Sequence, residues 1–328
     1  MNMCRKKRTI TRAITVMLAI CMLLSVMIPA VLVEAEEGSS VETVDVTGAL
    51  VNEFSFTVSS SCTDSEVNGH DYLYVPVGKI LFVYDLDDWK KVDEQWMGCS
   101  QSFGAYVDSD GIVWVYGSKP SLYRYDPVNK TGEWVSSFAS SGFVHDVIEV
   151  NGKIYLGTNS KGKMYEYDPE TDTYEDLGTL YEGAAHVSAL IYKDGFIYAS
   201  AQNATAKKDP QVLAKYDISN KKVVDSLDVN GYLGGKYVLG ITIVGDTLMM
   251  GTNAQAKMCA VDISQETMTR KDISGFEKGT FSRFSEVIVE PDGNEKVYFF
   301  SQEARVKSTV HGEVYGIVGT TSATYLCE

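Results

Sequence analysis

Five aspartates, Asp85, Asp126, Asp168, Asp217 and Asp262, recur at spacings of 41, 42, 49 and 45 residues. Each closes a short segment of one pattern. Lys79-Ile80-Leu81-Phe82-Val83-Tyr84-Asp85 aligns with Ser121-Leu122-Tyr123-Arg124-Tyr125-Asp126 and with Lys163-Met164-Tyr165-Glu166-Tyr167-Asp168. Val212–Asp217 and Lys257–Asp262 continue the series. A period in this range is the mark of a β-propeller, because one small sheet cannot shield both of its apolar faces and a ring of such sheets can. The chain is therefore expected to be all-β, with about six four-stranded antiparallel blades, inside the usual range for such rings.

The third repeat supplies the strands in order. His145–Val150, Lys153–Thr158, Lys163–Tyr167 and Thr173–Leu177 are rich in β-branched and tyrosine residues, which suit a half-buried pleated surface. Asn151-Gly152, Asp110-Gly111, Asp194-Gly195 and Asp292-Gly293 are tight-hairpin dipeptides at the junctions where the pattern needs them. The recurring aspartate has a structural explanation: its carboxylate can bond the backbone of its own turn. Blades are expected at roughly 51–97, 98–140, 141–182, 183–232, 233–279 and 280–328. In the last, Glu295–Ser301, Gly312–Val318 and Ala323–Cys327 read as second, third and fourth strands. Two arrangements stay open: Val41–Thr47 closes the ring, or the sequence is a piece of a larger propeller or multidomain protein.

The start of the chain has the pattern of an address. Arg5, Lys6, Lys7, Arg8 and Arg12 precede an apolar run from Ile14 to about Val33, and Val33-Glu34-Ala35 offers a small-residue exit. This pattern predicts a secretory signal over residues 1–35, cleaved near Ala35. A retained membrane anchor is the rival, and membrane contact is expected only through that segment if it stays uncleaved. Residues 36–50 read as an acidic linker or a closing strand. Cleavage removes five basic residues and Glu34, so the mature chain is four charges more negative than the formal −15 of the whole. A surface of that sign argues against a nucleic-acid partner. Lys207-Lys208 and Lys221-Lys222 are solvated charges on this background. Cys62, Cys99, Cys259 and Cys327 lack zinc-type spacing and read as buried free thiols, a Cys62–Cys99 bridge being the alternative.

Gly152 to Asn159, followed by Gly162 to Thr171, resembles the bacterial regulator-type propeller repeat. That family includes sensor regions of two-component regulators and is similar to streptogramin lyase-type secreted propellers. The resemblance covers about residues 51–328. It implies a fold and assigns no catalytic residue. Several polysaccharide lyases also use propellers, which makes that chemistry worth testing.

Strand order locates the candidate mouth. In an antiparallel blade, the loop between strands two and three and the loop between blades lie at one end. His145 and His186 fall at first strands there, His311 in a long loop and Arg283 near the start of the sixth blade. Tyr116, Asn159, Gln202, Asn253 and Gln302 follow second strands, and His70 maps to the opposite end. A lyase acting on uronic acid polymers needs a cation to neutralise the carboxylate and a base to take the neighbouring proton. Histidines with Gln can hold a divalent metal for the first task, or Arg283 can serve alone; a histidine or Tyr116 can be the base. The alternative is that these are inter-blade residues bonding the backbone. Trp89, Trp96, Trp114 and Trp134 stack on sugar rings if exposed, or pack between sheets if buried. Asp85-Leu86-Asp87-Asp88 and Asp108-Ser109-Asp110-Gly111 are partial calcium loops that read better as hairpin turns.

The favoured reading is a secreted binding module that presents one loop-rich face to a glycan or a cell-envelope partner. The alternative is a carbon-oxygen lyase acting by β-elimination, with His145, His186, His311, Arg283 and Tyr116 as catalytic candidates. Asn159, Gln202, Asn253, Gln302 and Trp114 are the ligand-binding candidates. No cofactor is expected, apart from a divalent metal under the lyase reading.

Overall fold

The computed structural model describes residues 63–88, 90–203, 211–230, 238–252 and 258–271, and the backbone of strands at 280–289, 295–302, 306–308, 312–314 and 324–326. Residues 1–35, read from the sequence as a signal, the 36–50 segment with Val41–Thr47, Asp292-Gly293, Lys207-Lys208, Trp89, Cys62, Cys327, Asn253 and His311 lie outside the described residues. Among the described residues every regular element is a strand.

The first sheet pairs β1 (Thr63–Val67), β2 (His70–Val77), β3 (Ile80–Asp85) and β4 (Lys90–Trp96) in chain order. The second is built of β5 (Ser102–Val107), β6 (Val113–Gly117), β7 (Tyr123–Asp126) and β8 (Thr131–Trp134). The third holds β9 (Val144–Val150), β10 (Lys153–Thr158), β11 (Lys163–Asp168) and β12 (Thr173–Thr179), within two residues of the strands read from the sequence. The fourth contains β13 (His186–Lys193), β14 (Phe196–Gln202), β15 (Gln211–Asp217) and β16 (Lys222–Asp228). β17 (Val238–Val244), β18 (Thr247–Thr252), β19 (Met258–Asp262) and β20 (Thr269–Lys271) make the fifth. First strands of successive sheets touch, β1 to β5, β5 to β9, β9 to β13, β13 to β17 and β17 to β21 (Thr280–Val289). The sheets are therefore arranged as propeller blades, with their first strands innermost.

The sixth repeat departs from expectation. β21 pairs with β22 (Glu295–Gln302), but β25 (Thr324–Leu326) takes the third place in that sheet. Gly312–Val314 (β24) pairs instead with β23 (Val306–Ser308) as a separate hairpin. The segment expected to be the third strand is thus an insertion, and the segment expected to be fourth is third.

Apolar clusters fill the seams. Tyr74, Leu81, Val113 and Tyr125 pack between blades one and two. Trp114, Leu122, Ile154 and Leu156 do so between two and three, and Met164, Val187, Ile197 and Tyr216 between three and four. Leu213, Leu248, Met250 and Val261 fill the next seam. Each fully buried large apolar side chain contributes about 1.5–3 kcal/mol by leaving water. Blade one also buries Leu73, Val75, Phe82 and Tyr84 on its other face. The seams leave no room in places: a Cβ on Gly157 would sit 2.7 Å from the Val187 carbonyl oxygen, which explains the glycine in Leu156-Gly157-Thr158.

The turns follow their residue types. Asn151 and Gly152 (φ 54° and 75°) and Asp194 and Gly195 (φ 50° and 87°) both take left-handed conformations, as a two-residue type I′ hairpin requires. Asp110-Gly111 differs. Only Gly111 is left-handed, the Asp108 amide reaches the Ile112 carbonyl, and the connection is one residue longer. The recurring aspartates bond their own turns, as expected. Asp85 Oδ1 accepts the amides of Asp87 and Asp88, Asp126 Oδ1 those of Val128 and Asn129, and Asp168 Oδ1 that of Glu170. Asp217 Oδ1 accepts from Asn220, and Asp262 Oδ1 from Ser264. Cys99 and Cys259 are buried free thiols. No helix among the described residues is long and apolar enough to cross a membrane.

Candidate functional site

The site begins with a defect in the strand pairing. In blade three, Gly157 pairs with Asp146 and Thr158 with Val144, so His145 is the extra residue of a bulge. In blade two, Ser102 pairs with Gly117 and Gly104 with Tyr116, which makes Phe103 the extra residue at the corresponding place. Bulges re-aim side chains near the ends of strands. Here the phenyl ring of Phe103 and the imidazole of His145 stack, their centroids 5.3 Å apart and their planes 9° apart. On the other side His145 Nε2 lies 3.3 Å from Nδ1 of His186, the residue that opens β13. Phe103, His145 and His186 thus form a row across three consecutive blades. Burial holds His186 below its ordinary pKa, favouring the neutral imidazole.

Asp146, next to His145, ties the same blades together. Its Oδ2 accepts the Leu190 amide of blade four at 2.8 Å, and its Oδ1 accepts the Tyr116 hydroxyl of blade two at 3.3 Å. Tyr116 is 5% exposed, so the position proposed for a catalytic base is a seam residue instead. Gln202 pairs with His186 in the backbone register, but its side chain is fully buried and turned toward blade five. Its Nε2 donates to Ser188 Oγ at 2.8 Å and its Oε1 accepts the Val238 amide at 3.2 Å. It therefore does not join the imidazoles as a metal ligand.

Trp114 is also corrected. It is 1% exposed, meets Tyr167 edge to face and donates from Nε1 to Asp108 Oδ2 at 2.6 Å. No face of that ring is offered to a sugar, and burial raises the Asp108 pKa above the usual carboxylate value. Trp134 is held by a bond to the Met97 carbonyl, whereas Trp96 is 68% exposed. Arg283 and Gln302 lie on β21 and β22, whose side chains fall outside the description, as do His311 and Asn253 entirely.

Beside His186 an open cleft of about 720 Å³ lies at the same end of the third and fourth blades. Asn159 and Lys161 line it from the loop after β10, Thr179 from the end of β12, Glu182 and Ala185 from the inter-blade connection, and Asn203 from just past β14. Asn159 Oδ1 accepts the Phe143 amide at 2.7 Å, which holds the loop to the start of blade three. Tyr181 stands on the same inter-blade connection, 38% exposed, and Phe143 on the preceding one before β9, 40% exposed and edge to face with Phe103. Of the ligand-binding candidates, Asn159 is placed at the cleft. Lys161, Glu182, Asn203, Phe143 and Tyr181 were missed by sequence reasoning, although all lie on the loops that strand order assigns to the mouth.

No protein-family model matches the sequence, and no characterised protein matches it. Solved structures do match in shape. One is a chain in the crystal structure of a mitotic checkpoint complex, with a TM-score of 0.56 at 11% identity, covering 83% of this chain and 96% of that one. At that identity the likeness is one of fold. It agrees with the blade topology and carries no activity with it.

Proposed function

We propose that the protein is a binding module that receives its partner at the cleft between blades three and four. The observation that carries this is an open cleft lined by Asn159, Lys161, Glu182 and Asn203, with partly exposed Phe143 bonded to Asn159 and Tyr181 next to Glu182 on the adjoining loops. Aromatic rings supply contact area at little entropic cost, while amides and charges fix orientation. That mixture suits a glycan or a cell-envelope polymer, and the N-terminal signal pattern supports an encounter outside the cell. Kinship with regulator-type secreted propellers belongs to the same proposal. Calorimetric titration of the protein with a panel of soluble envelope oligosaccharides tests it. Binding to at least one, weakened tenfold or more in the Phe143→Ala/Tyr181→Ala double variant, is the expected result. Binding that the double variant leaves unchanged refutes the assignment of the cleft.

The His145–His186 contact supports a second reading as a polysaccharide lyase. His186, kept neutral by burial, is able to accept the proton removed in β-elimination. Appearance of unsaturated uronide absorbance on an acidic polysaccharide, lost in His186→Gln, is what this reading requires.

A further inference from the structure

At the end of blade one opposite the cleft, a repeated element is altered. The recurring aspartate is partly exposed in blades two to five, and buried only in blade one, where Asp85 is 3% exposed. In blades two, three and four the second carboxylate oxygen has a local partner: Asp126 Oδ2 takes Asn129 Nδ2 and Asp217 Oδ2 takes Asn220 Nδ2, each at 2.7 Å, and Asp168 Oδ2 takes Lys153 Nζ at 2.6 Å. Asp85 Oδ2 instead faces His70 Nδ1 at 3.2 Å, and the same nitrogen lies 3.5 Å from Asp87 Oδ2. All three atoms fall within 4.8 Å of one another. Two carboxylates thus converge on one imidazole nitrogen, which has at most a single proton to offer. Among the described residues neither carboxylate has a lysine or arginine in ion-pair contact; Lys90 nearby is engaged by Asp88.

We infer that His70, Asp85 and Asp87 form a binding site for a divalent transition-metal ion of the zinc class. The geometry carries this. Ligands about 2.0–2.1 Å from a tetrahedral ion stand about 3.3 Å from each other, between the two observed separations. The donors come from separate places, the start of β2, the end of β3 and the turn after it, so one ion ties the β1–β2 and β3–β4 turns of the blade together. Asp85 is oriented from behind, through the oxygen that does not face His70, whereas Asp87 is held through its facing oxygen. Asp85 Oδ1 is fixed by the amides of Asp87 and Asp88, and Asp87 Oδ2 also accepts the Asp71 amide at 3.2 Å. The His70 ring lies against Tyr72, centroids 6.3 Å apart. Such supporting contacts pre-set a ligand for its metal. Imidazole with two carboxylates suits zinc or a neighbouring transition ion better than calcium, which prefers six or more oxygens. His70 and Asp87 are each about half exposed, which leaves the remaining coordination position open to water or to a partner's side chain.

The test is calorimetric titration of the purified full chain with zinc chloride, beside His70→Ala, Asp87→Asn and, as a control, His145→Gln. The two cluster positions are half exposed, so both variants should fold, and circular dichroism checks this. One saturable ion per chain, bound at least tenfold more weakly by both cluster variants and equally well by the control, is the expected outcome. The thermal midpoint of the unaltered chain should rise with zinc and return when a chelator is added. No saturable binding, binding that both cluster variants retain, or binding lost only in His145→Gln overturns the inference. It does not depend on the reading of the cleft.

Discussion

His145 Nε2 lies 3.3 Å from His186 Nδ1, and the two residues are 41 positions apart, close to one repeat. The propeller turns sequence periodicity into contact: residues one period apart meet across a seam. That contact is half buried, and its desolvation lowers the pKa of His186. A histidine whose folded pKa lies below its unfolded value, about 6.5, binds protons more readily in the unfolded chain. Stability is then full above that value and falls as pH drops through it toward the lower, folded pKa. We expect urea unfolding midpoints to decline from pH 7 to pH 5, and His186→Asn to flatten that limb. Equal slopes in both proteins would exclude His186 as the cause.

Asp146 joins three blades through Tyr116 and the Leu190 amide. Asp146→Ala removes the acceptor and leaves that amide without its side-chain partner, a loss of about 1–3 kcal/mol. Tyr116→Phe removes the longer bond and leaves the carboxylate in place, and should cost about 1 kcal/mol or less. Denaturant titration of both variants gives the ordering directly. A smaller loss in Asp146→Ala than in Tyr116→Phe would mean that the carboxylate does not bridge the seam.

The fold was legible because the recurring aspartate and the hairpin dipeptides are local signals, and each repeat states them again. The site was legible only in part. Strand order assigned His145 and His186 to one end, but no rule of spacing says that a bulge turns His145 onto Phe103 and His186. Gln202 and Trp114 misled for one reason: a polar or aromatic residue after a strand looks available in sequence, and burial appears only once the next blade is in place. The sixth repeat failed because Gly312–Val318 has the composition of a strand, while Gly312–Val314 pairs with the preceding β23 in a local hairpin and the place beside β22 goes to the later β25.

Cys259 and Cys99 sit in the seams, and burial raises both thiols, Cys259 to about 11. The reactive thiolate is therefore scarce at neutral pH and shielded as well. We expect iodoacetamide at pH 8 to leave both unmodified in the native chain and to label both in urea, as read by peptide mass spectrometry. Rapid native labelling of Cys259 would place it outside the seam.

Gly157 gives the sharpest mechanical test of the blade arrangement. A methyl group there would stand 2.7 Å from the Val187 carbonyl and 3.0 Å from its Cγ1, and both belong to the neighbouring blade. Backbone cannot swing aside as the end of a long side chain can, so the seam between blades three and four must open slightly. Overpacking of this kind costs about 1–3 kcal/mol. Gly178 provides the contrast. An added Cβ meets nothing within 4 Å there, but the backbone is left-handed at φ 85°, so Gly178→Ala is strained locally and leaves the seam intact. Hydrogen exchange separates the two effects. Gly157→Ala should speed exchange of amides on both β10 and β13, whereas Gly178→Ala should affect β12 and its turn alone. Faster exchange confined to β10 in the first variant would mean that blades three and four do not meet at this glycine.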